Sequence, residues 1–297
     1  MKYKMRTLYM FILLAFASNG FAQSLKIGII ADCQYCDCDY SKRWNNDYRQ
    51  GPPRLQKAVD KFNNQEVDVV FHLGDFIDRD FSSFARVKPI MNTLKMPHYF
   101  ALGNHDFSVA DSLKNKVLKT LDLASPYYIV EKDNWLFVVL DGTDVSPYSS
   151  TDLSKIAFAN SQMEMYEKEG RLQAKPWNGA LGTTQMEWLE AQLQKADMQK
   201  LNVIVLAHFP ILPLAALNLW NDVEVVQILE KHTSVKAYFN GHHHPGNYVE
   251  KEGIHYVTFQ GMVMTKEETA YAVVTLGKKE ITVEGVGREP FRTLRIK

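Results

Sequence analysis

The fold is decided at Phe71-His72-Leu73-Gly74-Asp75-Phe76-Ile77-Asp78-Arg79, where an apolar run that begins at Val67 ends in glycine and aspartate. A buried strand with this ending places a carboxylate at the carboxyl edge of a sheet, and the glycine lets the backbone turn closely there. Ligands bind at such edges in α/β sheets. One Gly-Asp pair is weak evidence by itself, because most aspartates after strands are turn residues that hydrogen-bond their own backbone.

Four other apolar runs end in side chains of similar chemistry. They are Leu25 to Ala31 before Asp32-Cys33-Gln34, His98 to Leu102 before Gly103-Asn104-His105-Asp106, Val203 to Ala207 before His208, and Val235 to Asn240 before Gly241-His242-His243-His244. Each run delivers Asp, Asn, Gln or His at the same end of a predicted strand. Carboxylate, amide and imidazole groups are metal ligands. The repetition therefore predicts a metal site at one edge of the sheet.

Composition limits the class of protein and of partner. The chain has 297 residues, of which 46% are hydrophobic and 23% charged, as in a globular protein with one large α/β domain or two small ones. The net charge is zero and no long basic run occurs, which disfavours nucleic acid and anionic membrane surfaces as partners. Anionic small molecules fit if a metal supplies positive charge.

The first residues resemble a targeting segment. Three basic residues precede an uncharged stretch from Leu8 to Ala17, and Gly20-Phe21-Ala22 offers the small residues that a signal peptidase accepts. The apolar stretch is too short to cross a bilayer comfortably, although a retained anchor helix is the alternative. We therefore expect residues 1–22 to be a signal peptide and residues 23–297 to form an exported domain, periplasmic or secreted.

Apolar spacing predicts the architecture. A helix that begins at Pro52-Pro53 lies between the first two predicted strands, and the tail from Asn247 onward alternates as antiparallel hairpins. This order predicts an α/β protein with two mixed sheets packed face to face and helices outside. Periodicity is weak over residues 142–182, and a loop region this long is typically functional, so we expect a substrate-facing cap or insert there.

The three cysteines, Cys33, Cys36 and Cys38, lie within six residues of one another. An odd count argues against a disulfide framework in an oxidising compartment. A local Cys33–Cys36 bridge and thiolates that attract zinc or copper are two alternatives. The favoured interpretation is that small residues pack beneath a metal loop.

The ordered motifs Asp32-x-Gln34, Gly74-Asp75-x-x-Asp78, Gly103-Asn104-His105-Asp106, His208 and Gly241-His242-x-His244 resemble those of the calcineurin-like metallophosphoesterases. The resemblance spans roughly residues 25 to 260 and implies a four-layer α/β/β/α sandwich. Most of that superfamily has histidine where Gln34 stands. The Asp-x-Gln variant, together with Tyr48-Arg49, Trp177-Asn178-Gly179 and the segment from Gly287 to Leu294, resembles the manganese-dependent ADP-ribose/CDP-alcohol diphosphatase branch.

The resemblance implies a site for two divalent metal ions. Asp75 would bridge them, as two close ions require, with Asp32, Gln34 and His244 on one ion and Asn104, His208 and His242 on the other. Only two carboxylates then face two dications, so net positive charge remains to attract phosphate and to convert a water into a hydroxide nucleophile. This donor set favours Mn, with Fe or Zn as alternatives. If the segment from 242 to 244 is extended, its alternation predicts that His243 faces away from the site.

Two further residues would act on the substrate. His105 would serve as general acid or transition-state stabiliser, and Asp78 would hydrogen-bond it and favour its protonated form. Arg79 is either a phosphate contact or a solvated surface arginine. Candidate substrate contacts with weaker support are Tyr48, Arg49, Trp177 and Asn178. We expect His72, His98, His232 and His255 to be ordinary sheet or surface residues.

Three functions follow from this pattern. The resemblance favours a phosphohydrolase that cleaves the phosphoanhydride of a nucleoside diphosphate-linked small molecule, of ADP-ribose or CDP-alcohol type, by metal-hydroxide attack. A phosphomonoesterase or cyclic nucleotide phosphodiesterase on the same metal site is the alternative, and only analogy at Gln34 counts against it. A non-catalytic, metal-stabilised binding protein ranks last, because His105 and all seven predicted ligands are present.

Overall fold

The strands form two six-stranded mixed sheets within residues 24–297, which the computed structural model describes. The predicted targeting segment, residues 1–22, lies outside the described residues. The first sheet has the order β12-β11-β10-β1-β2-β3. Its strands are β1 (Leu25–Ile30), β2 (Val69–Leu73), β3 (His98–Ala101), β10 (Ala270–Leu276), β11 (Glu280–Gly287) and β12 (Arg292–Arg295). Strands β1, β2 and β3 run parallel, and the other neighbours pair antiparallel.

The second sheet has the order β4-β5-β6-β7-β9-β8, with parallel pairing from β5 to β9 and an antiparallel strand at each edge. Its strands are β4 (Tyr128–Lys132), β5 (Trp135–Val139), β6 (Asn202–Leu206), β7 (Val235–Asn240), β8 (Asn247–Lys251) and β9 (Ile254–Thr258). The helices are α1 (Gly51–Gln65), α2 (Phe84–Met91), α3 (Asp111–Lys114), α4 (Val117–Thr120), α5 (Leu153–Lys168), α6 (Thr183–Gln199) and α7 (Asp222–Leu229). None of the helices described in residues 24–297 combines the length and the apolar character needed to cross a membrane.

The inner faces of the two sheets share one apolar core. Ile29, Phe71, Phe137 and Phe239 are buried in it. A second core joins α1 and α2 to the outer face of the first sheet, and a third joins α6 and α7 to the outer face of the second sheet. The layers are therefore helix, sheet, sheet and helix, which confirms the predicted α/β/β/α sandwich.

Residues 142–182 are more regular than the sequence indicated. They contain α5, a helix of 16 residues, whereas weak periodicity predicted a loop region. The helix fully buries only Ala159, and Met163 and Tyr166 on the same face pack partly against the same cluster, so its apolar stripe is short. Leu153 and Phe158 are exposed outside this stripe. Asp152 stabilises its start by accepting hydrogen bonds from the backbone N–H groups of Ser154 and Lys155.

The cysteine arrangement also differs from the expectation. Cys36 and Cys38 form a disulfide, and Cys33 is a free, buried cysteine. The Cys33–Cys36 alternative is therefore wrong. Burial strongly raises the pKa of the Cys33 thiol, which disfavours the thiolate that a metal would need. The favoured interpretation therefore holds for Cys33, a buried small residue, and is wrong for Cys36 and Cys38, which are covalently bonded.

Candidate metal centre

The carboxyl ends of β1, β2, β3, β6 and β7 meet at one cavity of about 640 Å³. Parallel strands within each sheet bring these ends together, and the two packed sheets place both sets side by side. The lining includes Gln34, Asp75, Asp78, Asn104, His105, His242 and His244. Asp32 and His208 are fully buried directly beneath it.

Four predicted ligands form a tight group at the centre. His208 Nε2 lies 3.2 Å from Asp75 Oδ2, 3.2 Å from Asn104 Oδ1 and 3.1 Å from His242 Nδ1. The donor atoms of Asp75, His208 and His242 all lie within 4.8 Å of one another, which is close enough for one metal ion. The side chains predicted to share one ion therefore converge.

A second group lies beside the first. His244 Nε2 lies 3.7 Å from Asp32 Oδ1, and both Asp32 oxygens accept the backbone N–H of His242 at 3.2 Å. Gln34 Oε1 is buried and has no hydrogen-bond partner. A buried polar atom without a partner is costly, and a metal ion would satisfy it. Asp32, Gln34 and His244 therefore have the chemistry of a second ion's ligands.

The outer nitrogen of each histidine is held by an oxygen. His208 Nδ1 lies 2.8 Å from Leu73 O, His242 Nε2 lies 3.1 Å from Asn178 Oδ1, and His244 Nδ1 lies 3.3 Å from Asn46 Oδ1. If each outer nitrogen carries the proton, the inner nitrogen keeps its lone pair for a metal. This arrangement is typical of metal-ligating histidines, so the residues present fit a divalent metal centre.

Two glycines allow the ligands to approach so closely. A Cβ at Gly74, which has φ of +87°, would lie 2.5 Å from His208 Nδ1. A Cβ at Gly103 would lie 2.2 Å from Asp75 Oδ1. Since real Cβ atoms do not make such contacts, any larger residue at either position would displace a predicted ligand.

Several predicted ligands have left-handed backbone conformations that are uncommon outside glycine. The φ angles are +51° at Asp32, +44° at Gln34, +54° at Asp75 and +66° at His242. Such residues cost about 1 to 3 kcal/mol each and cluster at functional sites. The turn at His242 also explains why the prediction for His243 is wrong. The segment is not extended, so alternation does not apply, and His243 lines the cavity together with its neighbours.

His105 and Asp78 form a pair at the cavity wall. His105 Nδ1 lies 2.8 Å from Asp78 Oδ1, and the backbone N–H of His105 donates to Asp75 Oδ1 at 2.8 Å. Although desolvation lowers the pKa of His105, the charges of Asp75 and Asp78 raise it to about 9. Burial raises the pKa of Asp32 to about 7, partly offset by His208.

Asp106 has a structural role that the sequence did not reveal. Its buried carboxylate accepts the backbone N–H groups of Asp75, Phe76, Ile77 and Gly103 at 2.9 to 3.3 Å. Burial raises its pKa to about 7. Asp106 thus ties the turn after β2 to the turn after β3. The sequence signal for this role was the place of Asp106 as the fourth residue of the motif Gly103-Asn104-His105-Asp106.

The candidate substrate contacts divide into two groups. Tyr48, Arg79 and Trp177 line the cavity. Arg49 does not line it and instead forms ion pairs with Asp37 and Asp39. Asn178 is fully buried, and its side chain is hydrogen-bonded to His242, so it lies behind a predicted ligand and away from the cavity.

The cavity lining also includes residues that were not predicted as contacts. They are Arg43, Trp44, Asn46, Leu217, Pro245 and Met264. His72, His98, His232 and His255 do not line the cavity, as expected. Among them, His232 pairs with Asp197 at 2.7 Å and His255 Nε2 lies 2.8 Å from Arg295 O.

A known protein family and two named relatives match most of this chain. The family model described as calcineurin-like phosphoesterase matches residues 25–246. A Xenopus tropicalis protein named manganese-dependent ADP-ribose/CDP-alcohol diphosphatase is 28% identical, over 90% of this chain and 93% of its own length. A Bos taurus protein of the same name is 28% identical, over 93% of this chain and 96% of its own length.

A solved structure has the same fold. The crystal structure of a dimetal phosphatase from Danio rerio superposes with a TM-score of 0.82 at 24% identity and covers 92% of this chain and 99% of that one. A purple acid phosphatase from yellow lupin superposes with a TM-score of 0.55 at 13% identity, covering 93% of this chain and 54% of that one. At these identities the likeness concerns the arrangement of strands and helices.

Proposed function

The chain belongs to the calcineurin-like phosphoesterase family, and we propose that it is a manganese-dependent diphosphatase that acts on nucleoside diphosphate-linked small molecules of ADP-ribose or CDP-alcohol type. As a member of that family it is a metal-dependent hydrolase. The observation that supports the finer assignment is the full-length match to relatives that carry this activity in their names, at 28% identity over 90% and 93% of the chain.

The site supports a metal-dependent reaction. Asp32, Gln34, Asp75 and His244 would hold one ion, and Asp75, Asn104, His208 and His242 the other. When bound, two manganese ions supply positive charge that attracts phosphate oxygens and acidifies water. The neutral oxygen of Gln34 and the two carboxylates suit a hard ion such as manganese.

The chain's own residues then bind and orient the substrate. Arg79 lines the cavity with 60% of its side chain exposed, so its guanidinium is available to a phosphate oxygen. Trp177 lines the same cavity and is 47% exposed, which offers an apolar surface to the rest of the substrate. His105, whose Nδ1 is fixed by Asp78, is the group that would give a proton to the leaving phosphate oxygen.

Export is a separate part of the proposal. The first 22 residues carry the pattern of a signal peptide, and the Cys36–Cys38 disulfide suits an oxidising compartment. An exported diphosphatase would act on extracellular or periplasmic nucleotide diphosphates. Fractionation of the native host tests this: cleaved protein outside the cytosol supports export, and uncleaved protein in the cytosol contradicts it.

The activity is tested with purified protein, manganese and four substrates: ADP-ribose, CDP-choline, a 2′,3′-cyclic nucleotide and a nucleoside monophosphate. We expect AMP from ADP-ribose or CMP from CDP-choline, identified by chromatography, with His105→Ala as the control in which both activities fall by at least about 100-fold. Preference for the cyclic nucleotide or the monophosphate would keep the metal site and overturn the assignment as a diphosphatase.

A further inference from the structure

The loop after Gln34 contains a disulfide that the proposed function does not use. Cys36 is bonded to Cys38 and is buried against Tyr48 and Val263, and Cys38 packs against the same group. We call these four residues the disulfide cluster.

The disulfide cluster joins three segments that each contribute to the cavity wall. These segments supply Gln34, Tyr48 and Met264 to the lining. Their backbones are also tied together, since Asp47 N donates to Val263 O at 2.8 Å and Val263 N donates to Asp32 O at 3.0 Å. A change at the disulfide is therefore transmitted to the cavity wall.

Tyr48 is the member of the disulfide cluster that reaches the cavity. The guanidinium carbon of Arg79 lies 5.4 Å from the centre of the Tyr48 ring, within the range of a cation–π contact. Gln34 is held separately, because its backbone N–H donates to Asp75 O at 2.8 Å. Arg79 is held only loosely on its other side, because its Nε lies 3.7 Å from Asp78 Oδ2 and 60% of its side chain is exposed. Displacement of Tyr48 would therefore move the charge of Arg79 more than it would move the predicted metal ligands.

Arg49 forms ion pairs with the outer side of the same loop, and these pairs are weak. Its guanidinium lies 2.6 Å from Asp37 Oδ1 and 2.5 Å from Asp39 Oδ1. The side chains of Arg49, Asp37 and Asp39 are 51%, 81% and 94% exposed. Ion pairs this exposed contribute little, because water screens them. Backbone hydrogen bonds hold the loop before and after the bridge, at Tyr35 and at Ser41, whereas the bond between Cys36 and Cys38 fixes the side chains on which Tyr48 packs.

We propose that the Cys36–Cys38 disulfide is a positioning element for substrate binding, which holds Tyr48 and through it Arg79 on the cavity wall. This inference rests on the proposed function, because it assigns how the same site binds its substrate. Reduction of the disulfide weakens substrate binding and leaves the chemical step intact. Since the bridge encloses only one residue, its loss frees little entropy in the unfolded chain, and the fold survives.

The test compares manganese-loaded protein before and after treatment with a phosphine reductant that is then removed. The phosphine gives two electrons to the S–S bond, water supplies two protons and the oxygen of the phosphine oxide, and two thiols form. Alkylation under denaturing conditions followed by mass spectrometry then counts one thiol before treatment and three after it. The readouts are KM and kcat for ADP-ribose and hydrogen exchange of the amides of residues 45–48.

We expect KM to rise about tenfold on reduction while kcat changes less than about twofold. Exchange of the amides of residues 45–48 becomes faster. The double variant Cys36→Ala/Cys38→Ala has the raised KM without reductant and does not respond to it. Arg49→Gln is the matched control on the same loop, and its KM stays within about twofold of the original value because its ion pairs are exposed.

Two results would overturn the inference. One is an equal KM for the oxidised and reduced forms, and the other is a fall in kcat as large as the change in KM. If neither form cleaves an anhydride, the proposed function fails separately. In that case the inference is tested by hydrogen exchange of the amides of residues 45–48 and by the dissociation constant of AMP. The inference is overturned unless both change on reduction.

Discussion

His105 Nδ1 lies 2.8 Å from Asp78 Oδ1, and Asp78 is buried while His105 is a third exposed at the cavity wall. A carboxylate in this position fixes the imidazole tautomer, because Nδ1 carries the proton that it donates. The Nε2 atom is then left for the substrate.

Asp78→Asn should lower kcat for the anhydride substrate by about 10- to 100-fold, because the amide cannot stabilise the protonated imidazole. His105→Ala should lower kcat by about 10²- to 10⁴-fold. KM should change less than kcat in both variants, because the proton is transferred in the chemical step. A small rise in KM is expected for Asp78→Asn, which loses the 3.7 Å ion pair with Arg79. Steady-state kinetics with saturating manganese measures both effects, and an unchanged kcat in Asp78→Asn would exclude this role for the pair.

Asn178→Ala should weaken manganese binding about 10- to 100-fold, because His242 Nε2 loses the oxygen that orients it. Activity measured against free manganese concentration gives the apparent affinity. The control is Asn115→Ala on an exposed turn, which should not change the affinity. If Asn178 contacts substrate instead, KM will rise at saturating manganese and the metal dependence will stay constant.

Asp106→Ala should destabilise the protein by about 3 to 5 kcal/mol, because it leaves backbone N–H groups on two turns without a buried acceptor. Asp111→Ala removes the ion pair between an exposed carboxylate and Lys114, whose side chain is 14% exposed, and should cost about 1 kcal/mol. Urea unfolding of metal-free protein compares the two variants. Equal losses of stability would contradict the anchoring role of Asp106.

Asp141 should make stability depend on pH. Burial raises the pKa of its carboxyl to about 7 from the ordinary 3.8. Between these values the folded state binds more protons than the unfolded state, so stability falls as pH rises from about 4 to 7. Asp141 Oδ1 accepts both the N–H and the hydroxyl of Thr143, and an asparagine oxygen can accept the same two bonds.

Asp141→Asn should therefore be more stable than the original chain by about 2 to 4 kcal/mol at pH 8 and about equally stable at pH 4. Urea unfolding across this range in the presence of a chelator measures the difference without a metal contribution. Parallel stability curves for the two proteins would contradict the raised pKa.

The strands that carry the site could be predicted because each is an apolar run that stops at a polar residue. The ends of β2 and β7 fall where Gly74-Asp75 and Gly241-His242 predicted them. The helix α5 was missed because its apolar stripe is short, and the exposed Leu153 and Phe158 outside that stripe obscure the helical period on which prediction depends. The sequence signal for this helix was Asp152, which accepts the first backbone N–H groups of α5.

The predicted metal ligands were easier to identify from the sequence than the residues that orient them. Motif order indicated Asp75, His208 and His242, but nothing in the sequence indicated that Asn178 would lie behind His242. The sequence also did not indicate that Arg49 would pair with Asp37 and Asp39 on the same loop and lie outside the cavity lining. Such contacts depend on the path of the loop, which periodicity does not describe.

The most direct test of the metal centre is the number of manganese ions that remain bound after desalting, measured by elemental analysis against protein concentration. We predict two ions per chain in the original protein and fewer in Asp75→Ala, together with loss of ADP-ribose hydrolysis. A protein that hydrolyses ADP-ribose at full rate in excess chelator with no bound divalent metal would contradict the metal centre and the function proposed from it.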